Sequence, residues 1–120
     1  MASRILIVED DFDTRYVLSL ILKGEGYEVL TAADGECALG VAFEQLPDLI
    51  ITDVKMPRMN GIELTQRMRM NAETASTPIL VITAYGETPL KRALAAGASA
   101  CLRKPIEVDE LLPIVKALLA

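Results

Sequence analysis

The chain has 120 residues, 52% hydrophobic and 24% charged, with 12 Lys and Arg against 17 Asp and Glu and a formal net charge of −5. That length suits a single domain, residues 1–120, with a continuous core and no need of disulfides, and the acidic balance argues against nucleic-acid binding by the domain itself. The absence of His excludes His-based catalysis, the usual zinc sites and a phosphohistidine step within the chain, and charged residues interrupt every apolar run before it could span a membrane. Cys37 and Cys101 are far apart and form no ligand-like pattern, so they read as free cytosolic thiols. Met1-Ala2-Ser3-Arg4 leads directly into a strand-like run with no signal-peptide pattern, which points to a cytoplasmic protein.

Ile5-Leu6-Ile7-Val8 is an aliphatic strand that ends in Glu9-Asp10-Asp11, where Asp11 or Asp13 could cap the following helix. That helix is expected from about Thr14 to Glu25, with Val17, Leu20 and Ile21 facing inward and Gly24 and Gly26 ending it. Leu18 and Leu22 widen the face, either to pack on the C-terminal helix or as an exposed partner patch. Tyr27–Thr31 alternates like an edge strand, and a helix from Gly35 to Gln45 follows, carrying Ala38, Leu39, Ala42 and Phe43 and stopped by Pro47. After the next strand, a third helix runs from Gly61 to about Asn71, with Met68 and Met70 as gap-filling core. Thr77–Thr83 reads as a strand, and Thr88-Pro89 as a helix start with Leu90, Leu94 and Ala95 on its apolar side. Ala98–Arg103 is a weaker strand leading to Lys104-Pro105, and the last helix begins near Val108. It buries Leu111, Leu112, Val115, Leu118 and Leu119, while Pro113 removes a bond to Asp109. Five strands alternating with five helices over short connections predict an α/β domain with a parallel sheet covered on both faces.

The informative stretch is Pro47-Asp48-Leu49-Ile50-Ile51-Thr52-Asp53-Val54-Lys55-Met56-Pro57, a wholly apolar strand that delivers a carboxylate, Asp53, at its C-terminal end. Desolvating such a group without a partner is costly, and the C-terminal strand ends of open parallel sheets are where ligands bind. The same rim collects Glu9 and Asp10, Thr83, and Lys104. Each alone has a bland reading as capping acid, core-edge Thr or surface Lys; five at matching strand ends point to a site. Three carboxylates repel one another unless a cation lies between them, and a hard, oxygen-ligated ion such as Mg²⁺ fits. Asp53 can then act as nucleophile towards a phosphoryl donor, with Lys104 neutralising charge and Thr83 donating its hydroxyl.

With these motifs in hand, the chain resembles a response-regulator receiver domain of two-component signalling, of the chemotaxis-receiver kind. The matching residues are Glu9-Asp10, Pro47 to Asp53 with Met56-Pro57 and Gly61, Ile82-Thr83-Ala84, and Lys104-Pro105. The resemblance implies a flavodoxin-like (βα)5 fold of strand order 2-1-3-4-5 and no output domain within the chain. Asp53 would be the phosphoacceptor; Asp10 would bind Mg²⁺ (or Mn²⁺) directly and Glu9 mainly through water, with the Lys55 backbone carbonyl completing the protein ligands. Thr83 and Lys104 would hold the phosphoryl group, and the Lys104-Pro105 peptide would be cis. The implied donor is a sensor histidine kinase or histidine phosphotransfer protein, and the output a downstream protein effector or fused output domain. The implied behaviour is that of a switch, self-phosphorylating and self-dephosphorylating, present as a monomer or a phosphorylation-dependent dimer, and not a turnover enzyme. Two departures stand out. Cys101 occupies the place of the family's usual aromatic reporter, with Tyr85 or no residue as its substitute, and Ser99-Ala100 replaces an acidic pair.

Two other classes fit the residues less well. An aspartyl-phosphate phosphatase or phosphotransferase would want a second acid two residues after Asp53, where Lys55 stands, and a substrate cap. A flavin or nucleotide binder would want a Gly- or Ser-rich phosphate loop after the first strand, where Glu9-Asp10-Asp11 would repel phosphate.

Overall fold

In the computed structural model of the chain, β1 (Arg4–Val8), β2 (Glu28–Ala32), β3 (Leu49–Asp53), β4 (Ile79–Thr83) and β5 (Ala100–Arg103) pair in parallel in the order β2-β1-β3-β4-β5. Between and after them run α1 (Phe12–Gly24), α2 (Gly35–Gln45), α3 (Gly61–Met70), α4 (Thr88–Ala96) and α5 (Val108–Leu119). The structure describes residues 2–84 and 88–120, excepting the side chains of 88 and 89, so Tyr85 and the capping contact expected of Thr88 lie outside the described residues. The flavodoxin-like order expected from the sequence is the order found.

Successive strand residues point to opposite faces, and both faces are covered, which is why the strands read as unbroken apolar runs. Leu6, Val8, Ile50, Ile79 and Val81 meet Ala38 and Ala42 of α2, Leu64 and Met68 of α3 and Ala93 of α4. Ile5, Ile7, Leu49, Ile51, Leu80 and Ile82 meet Leu18 and Leu22 of α1 and Leu111 and Val115 of α5. The β1–β3 register sets Ile7 beside Ile51 and Val8 beside Thr52, so the ends of these two central strands reach the same rim. α5 runs through Pro113, which is exposed, and water can take the Asp109 carbonyl that the missing N–H leaves free.

Three helix faces differ from expectation. In α1, Leu18, Ser19 and Leu22 are the buried residues, while Val17 and Leu20 are 51% and 52% exposed. Two apolar stripes of equal spacing compete in this helix, and its start decides between them. Asp11 is the N-cap, accepting from the Thr14 backbone N–H at 2.9 Å, and Arg15 Nη1 donates to the Glu9 carbonyl at 2.7 Å. That anchoring sets the helix phase so that 15, 18, 19 and 22 form the inner row, and Ser19 is satisfied there by donating to the Arg15 carbonyl at 2.8 Å. In α3, Met68 is fully buried but Met70 is 83% exposed, because two residues along a helix turn the side chain to the opposite side. In α4 the core residue is Ala93, while Leu94 is 52% exposed and Ala95 also faces outward.

The phase of α1 is open to a direct test by urea unfolding. Leu22→Ala is expected to cost about 2–5 kcal/mol by leaving a cavity in the core, whereas Leu20→Ala is expected to stay within about 0.5 kcal/mol. Equal losses at the two positions would place the inner row elsewhere.

Candidate functional site

At the carboxyl ends of β1 and β3 the following helices leave to opposite faces of the sheet, and the crevice so formed is where polar side chains can gather. Asp53 closes β3 with its residue 6% exposed, and Glu9 follows β1 at 4%. Asp10 is exposed beside them. One oxygen from each of the three carboxylates lies within 4.8 Å of the others. Thr83 ends β4 fully buried, and Lys104 follows β5, its peptide to Pro105 cis as expected.

Backbone packing fixes where Asp53 sits. Thr52 Oγ1 donates to the Asp53 carbonyl at 2.9 Å, and the Gly61 N–H donates to the Val54 carbonyl at 2.9 Å, drawing the start of α3 onto the end of β3. A Cβ on Gly61 would lie 2.1 Å from the Asp53 carbonyl oxygen, so this approach requires glycine. Asn60 caps α3 by accepting from the Glu63 N–H at 2.8 Å. On the far side of the loop, Gly35 gives the Met59 carbonyl room that a Cβ, 2.4 Å away, would take. Both glycines therefore hold the β3–α3 loop, and with it Lys55, against the acidic rim.

The electrostatics turn on one ammonium. Lys104 Nζ donates to Asp53 Oδ2 at 2.7 Å and lies 3.6 Å from Glu9 Oε2. The other Asp53 oxygen, Oδ1, accepts a long 3.4 Å bond from the Lys55 N–H. Three carboxylates against one ammonium leave an excess of negative charge, and Glu9 registers it. Burial first, then its hydrogen bond and repulsion with Asp53, raise the Glu9 pKa to about 7 despite the opposing pull of Lys104. The Lys104 pKa is itself changed: burial pushes it down, but its hydrogen bond and charge interaction with Asp53, and the charge of Glu9, outweigh that and raise it. Thr83 Oγ1 donates to the Ala84 carbonyl at 3.1 Å, so its hydroxyl has only a local partner. Oxygen donors at this spacing, short of positive charge, suit a hard divalent cation.

Asp10, Asp53, Lys55 and Thr83 line one cavity of about 570 Å³. The cavity also takes in Met56 and Ala84 from the quoted motifs, and Asn60 and Arg92, which the sequence does not single out. Asn60 is readable there only as a cap, and nothing marks Arg92 apart from other helical cations until α4 is packed. Cys101 lies half-buried against the apolar cluster under α3 and α4, its thiol pKa pushed up by burial. A second, apolar groove of about 370 Å³ runs between α1 and the turn after β5, lined by residues that include Val17, Leu18, Ile21, Lys104 and Ile106.

Residues 5–116 match the family model described as the response regulator receiver domain. The chain is 36% identical over 117 residues to sporulation initiation phosphotransferase F of Bacillus subtilis, covering 97% of this chain and 93% of that protein. It is 41% identical over 120 residues to the phosphate regulon transcriptional regulatory protein PhoB of Rhizobium meliloti, covering 99% of this chain but only 53% of that protein. Among solved structures, the chemotaxis protein CheY4 of Vibrio cholerae superposes with a TM-score of 0.92 at 38% identity, covering 99% and 100% of the two chains. Among the described residues no helix is long and apolar enough to cross a membrane.

The raised Glu9 pKa makes a signed prediction. Between its ordinary value of 4.5 and about 7, folded Glu9 keeps a proton that the unfolded chain releases, so its contribution to stability is present below 4.5 and lost as pH rises through 7. In metal-free buffer, Glu9→Gln is expected to flatten the fall in thermal midpoint between pH 5 and pH 8. Asp53→Asn is expected to lower the Glu9 pKa, followed by carboxyl NMR. A Glu9 titration unmoved by Asp53→Asn would mean that the two carboxylates do not interact.

Proposed function

The chain belongs to the response regulator receiver domain family of two-component signalling, and we propose that it is a phosphorylation-controlled switch whose acceptor is Asp53. The observation that carries this reading is the Asp53 carboxylate itself: buried at a strand end, held at one oxygen by Lys104 at 2.7 Å and at the other by a long 3.4 Å bond from the Lys55 N–H. Oδ1, the less encumbered oxygen, attacks phosphorus. The P–N bond of a phosphohistidine donor breaks, its electron pair returns to the imidazole, and a carboxyl–phosphoryl anhydride forms on Asp53. Lys104 stays on the site and neutralises charge on the transferred group. Thr83 turns its hydroxyl from the Ala84 carbonyl to a phosphoryl oxygen, which frees that carbonyl and links the event to the segment entering α4. Hydrolysis of the anhydride by water resets the switch.

Glu9, Asp10 and Asp53, with the Lys55 backbone carbonyl, are the ligands we assign to Mg²⁺, for which Mn²⁺ can substitute. When bound, the ion supplies positive charge against the oxygens of the transferred group. The fit rests on the close oxygens and the negative excess of the rim. For the donor we infer a sensor histidine kinase or histidine phosphotransfer protein, seated on the apolar groove beside α1 where Lys104 is common to groove and site. Downstream, the partner is a separate effector or a fused output domain.

With Mg²⁺ and acetyl phosphate, the wild type is expected to gain one acid-stable, base-labile phosphoryl group, and Asp53→Asn none, as read by intact-mass spectrometry. Equal labelling of Asp53→Asn at the same site would overturn the assignment. Because Glu9 must ionise to serve the metal, Mg²⁺ affinity is expected to fall by up to about tenfold per pH unit below 7 and to level off above it, with protons released on binding. Calorimetry in buffers of different ionisation enthalpy measures that release; a pH-independent affinity from 5.5 to 8 would rule out Glu9 as a ligand.

A further inference from the structure

Arg92 lines the same cavity as Asp53 and Thr83, from the α4 side, and it is exposed. Among the described residues it enters no ion pair. Its neighbour Ala93 is buried, so Arg92 springs from a point fixed against the core, at the cavity wall. Lys104 approaches Asp53 from the other direction and is already shared between Asp53 and Glu9.

Charge counting gives this arginine a role. With a divalent cation seated, the three carboxylates are balanced by the cation and Lys104. Turning the Asp53 carboxylate into an acyl phosphate replaces one negative charge by up to about two. The site is then one positive charge short, in a partly desolvated cavity where such an imbalance is costly. Arginine presents several donors in a fixed fork that matches phosphoryl oxygens.

We propose that Arg92 binds the phosphoryl group on Asp53 across the cavity, stabilising the phosphorylated state and drawing α4 towards the site. The interaction exists only after phosphorylation, so it biases one of two positions of α4 and sets the lifetime of the signal. Because α4 carries Leu94 on its outer side, any shift of the helix is presented directly at the surface. This inference rests on Asp53 as acceptor and adds to it a residue that the acceptor chemistry does not require.

The test uses the whole chain as wild type, Arg92→Gln, Arg92→Lys and Lys55→Gln, with beryllofluoride as the phosphoryl mimic and acetyl phosphate as donor. Arg92→Gln is expected to weaken beryllofluoride binding in Mg²⁺ by about five- to tenfold and to shorten the acyl-phosphate half-life by a similar factor. Mg²⁺ affinity without the mimic should stay the same or tighten, since a like charge has been removed near the metal ligands. A general loss of structure would weaken both, so a mimic affinity that falls while Mg²⁺ affinity holds or tightens separates a direct role from a structural one. Arg92→Lys should recover part of the lost mimic affinity. Unchanged mimic affinity and half-life in Arg92→Gln, or losses seen in Lys55→Gln alone, would overturn the proposal. A wild type that binds neither mimic nor phosphoryl group would instead overturn the acceptor reading beneath it.

Discussion

The Lys104–Asp53 ion pair is the contact on which the rest of the site depends. Asp53 lies at the end of a strand buried on both faces, where an unpaired carboxylate would be expensive. A single ammonium at 2.7 Å makes it tolerable, and the same ammonium lies 3.6 Å from the Glu9 carboxylate. The pair also spans the sheet from β3 to the end of β5, so the outer strand cannot shift without disturbing the centre. Its strength is deliberately incomplete. Burial first, and then the neighbouring Asp53, raise the Glu9 pKa to about 7, and one ammonium for three acids leaves the rim short of positive charge.

Around that pair the fold acts as a positioning device. The two central strands end side by side because β1 and β3 are hydrogen-bonded in register, and their helices then diverge to opposite faces. Gly61 and Gly35 let backbone approach where a methyl group would collide, so the loop after Asp53 is pressed into place on both sides. Asp11 and Asn60 cap the two helices that border the rim. Arg15 ties the Glu9 carbonyl to α1, so the acidic turn and the helix that follows it move together. Each of these residues restricts the backbone that carries the polar strand ends.

The Arg92 inference changes how the output of such a site is pictured. Thr83 is a buried hydroxyl and can respond only by turning, a small displacement in a packed environment. Arg92 is a charge on α4 beside the buried Ala93, so a pull on it acts on the helix itself. Cys101 is small and half-buried against the cluster under α3 and α4, and contributes no large side chain to carry a movement outward. An electrostatic pull on α4 needs no such reporter.

Much of this protein was legible in its sequence. Unbroken aliphatic runs such as Ile79–Ile82 specify strands buried on both faces, because only full burial rewards a run with no polar alternation. Asp53, Glu9, Asp10, Thr83 and Lys104 stand out because polar groups at the ends of such strands need partners. Those readings follow from one-dimensional order, since a strand end is a strand end wherever the strand lies. Helix faces are a different matter. The apolar residues of α1 form two stripes of equal merit, and the Asp11 cap with the anchoring of Arg15 on Glu9 selects Leu18 and Leu22 over Val17 and Leu20. Met70 and Met68 look alike in composition but differ by a half-turn of helix. Arg92 belongs to the cavity only because Ala93 packs inward and sets the direction of its neighbour. Tertiary packing decided these because a helix specifies the spacing of its side chains but not its rotation about its own axis.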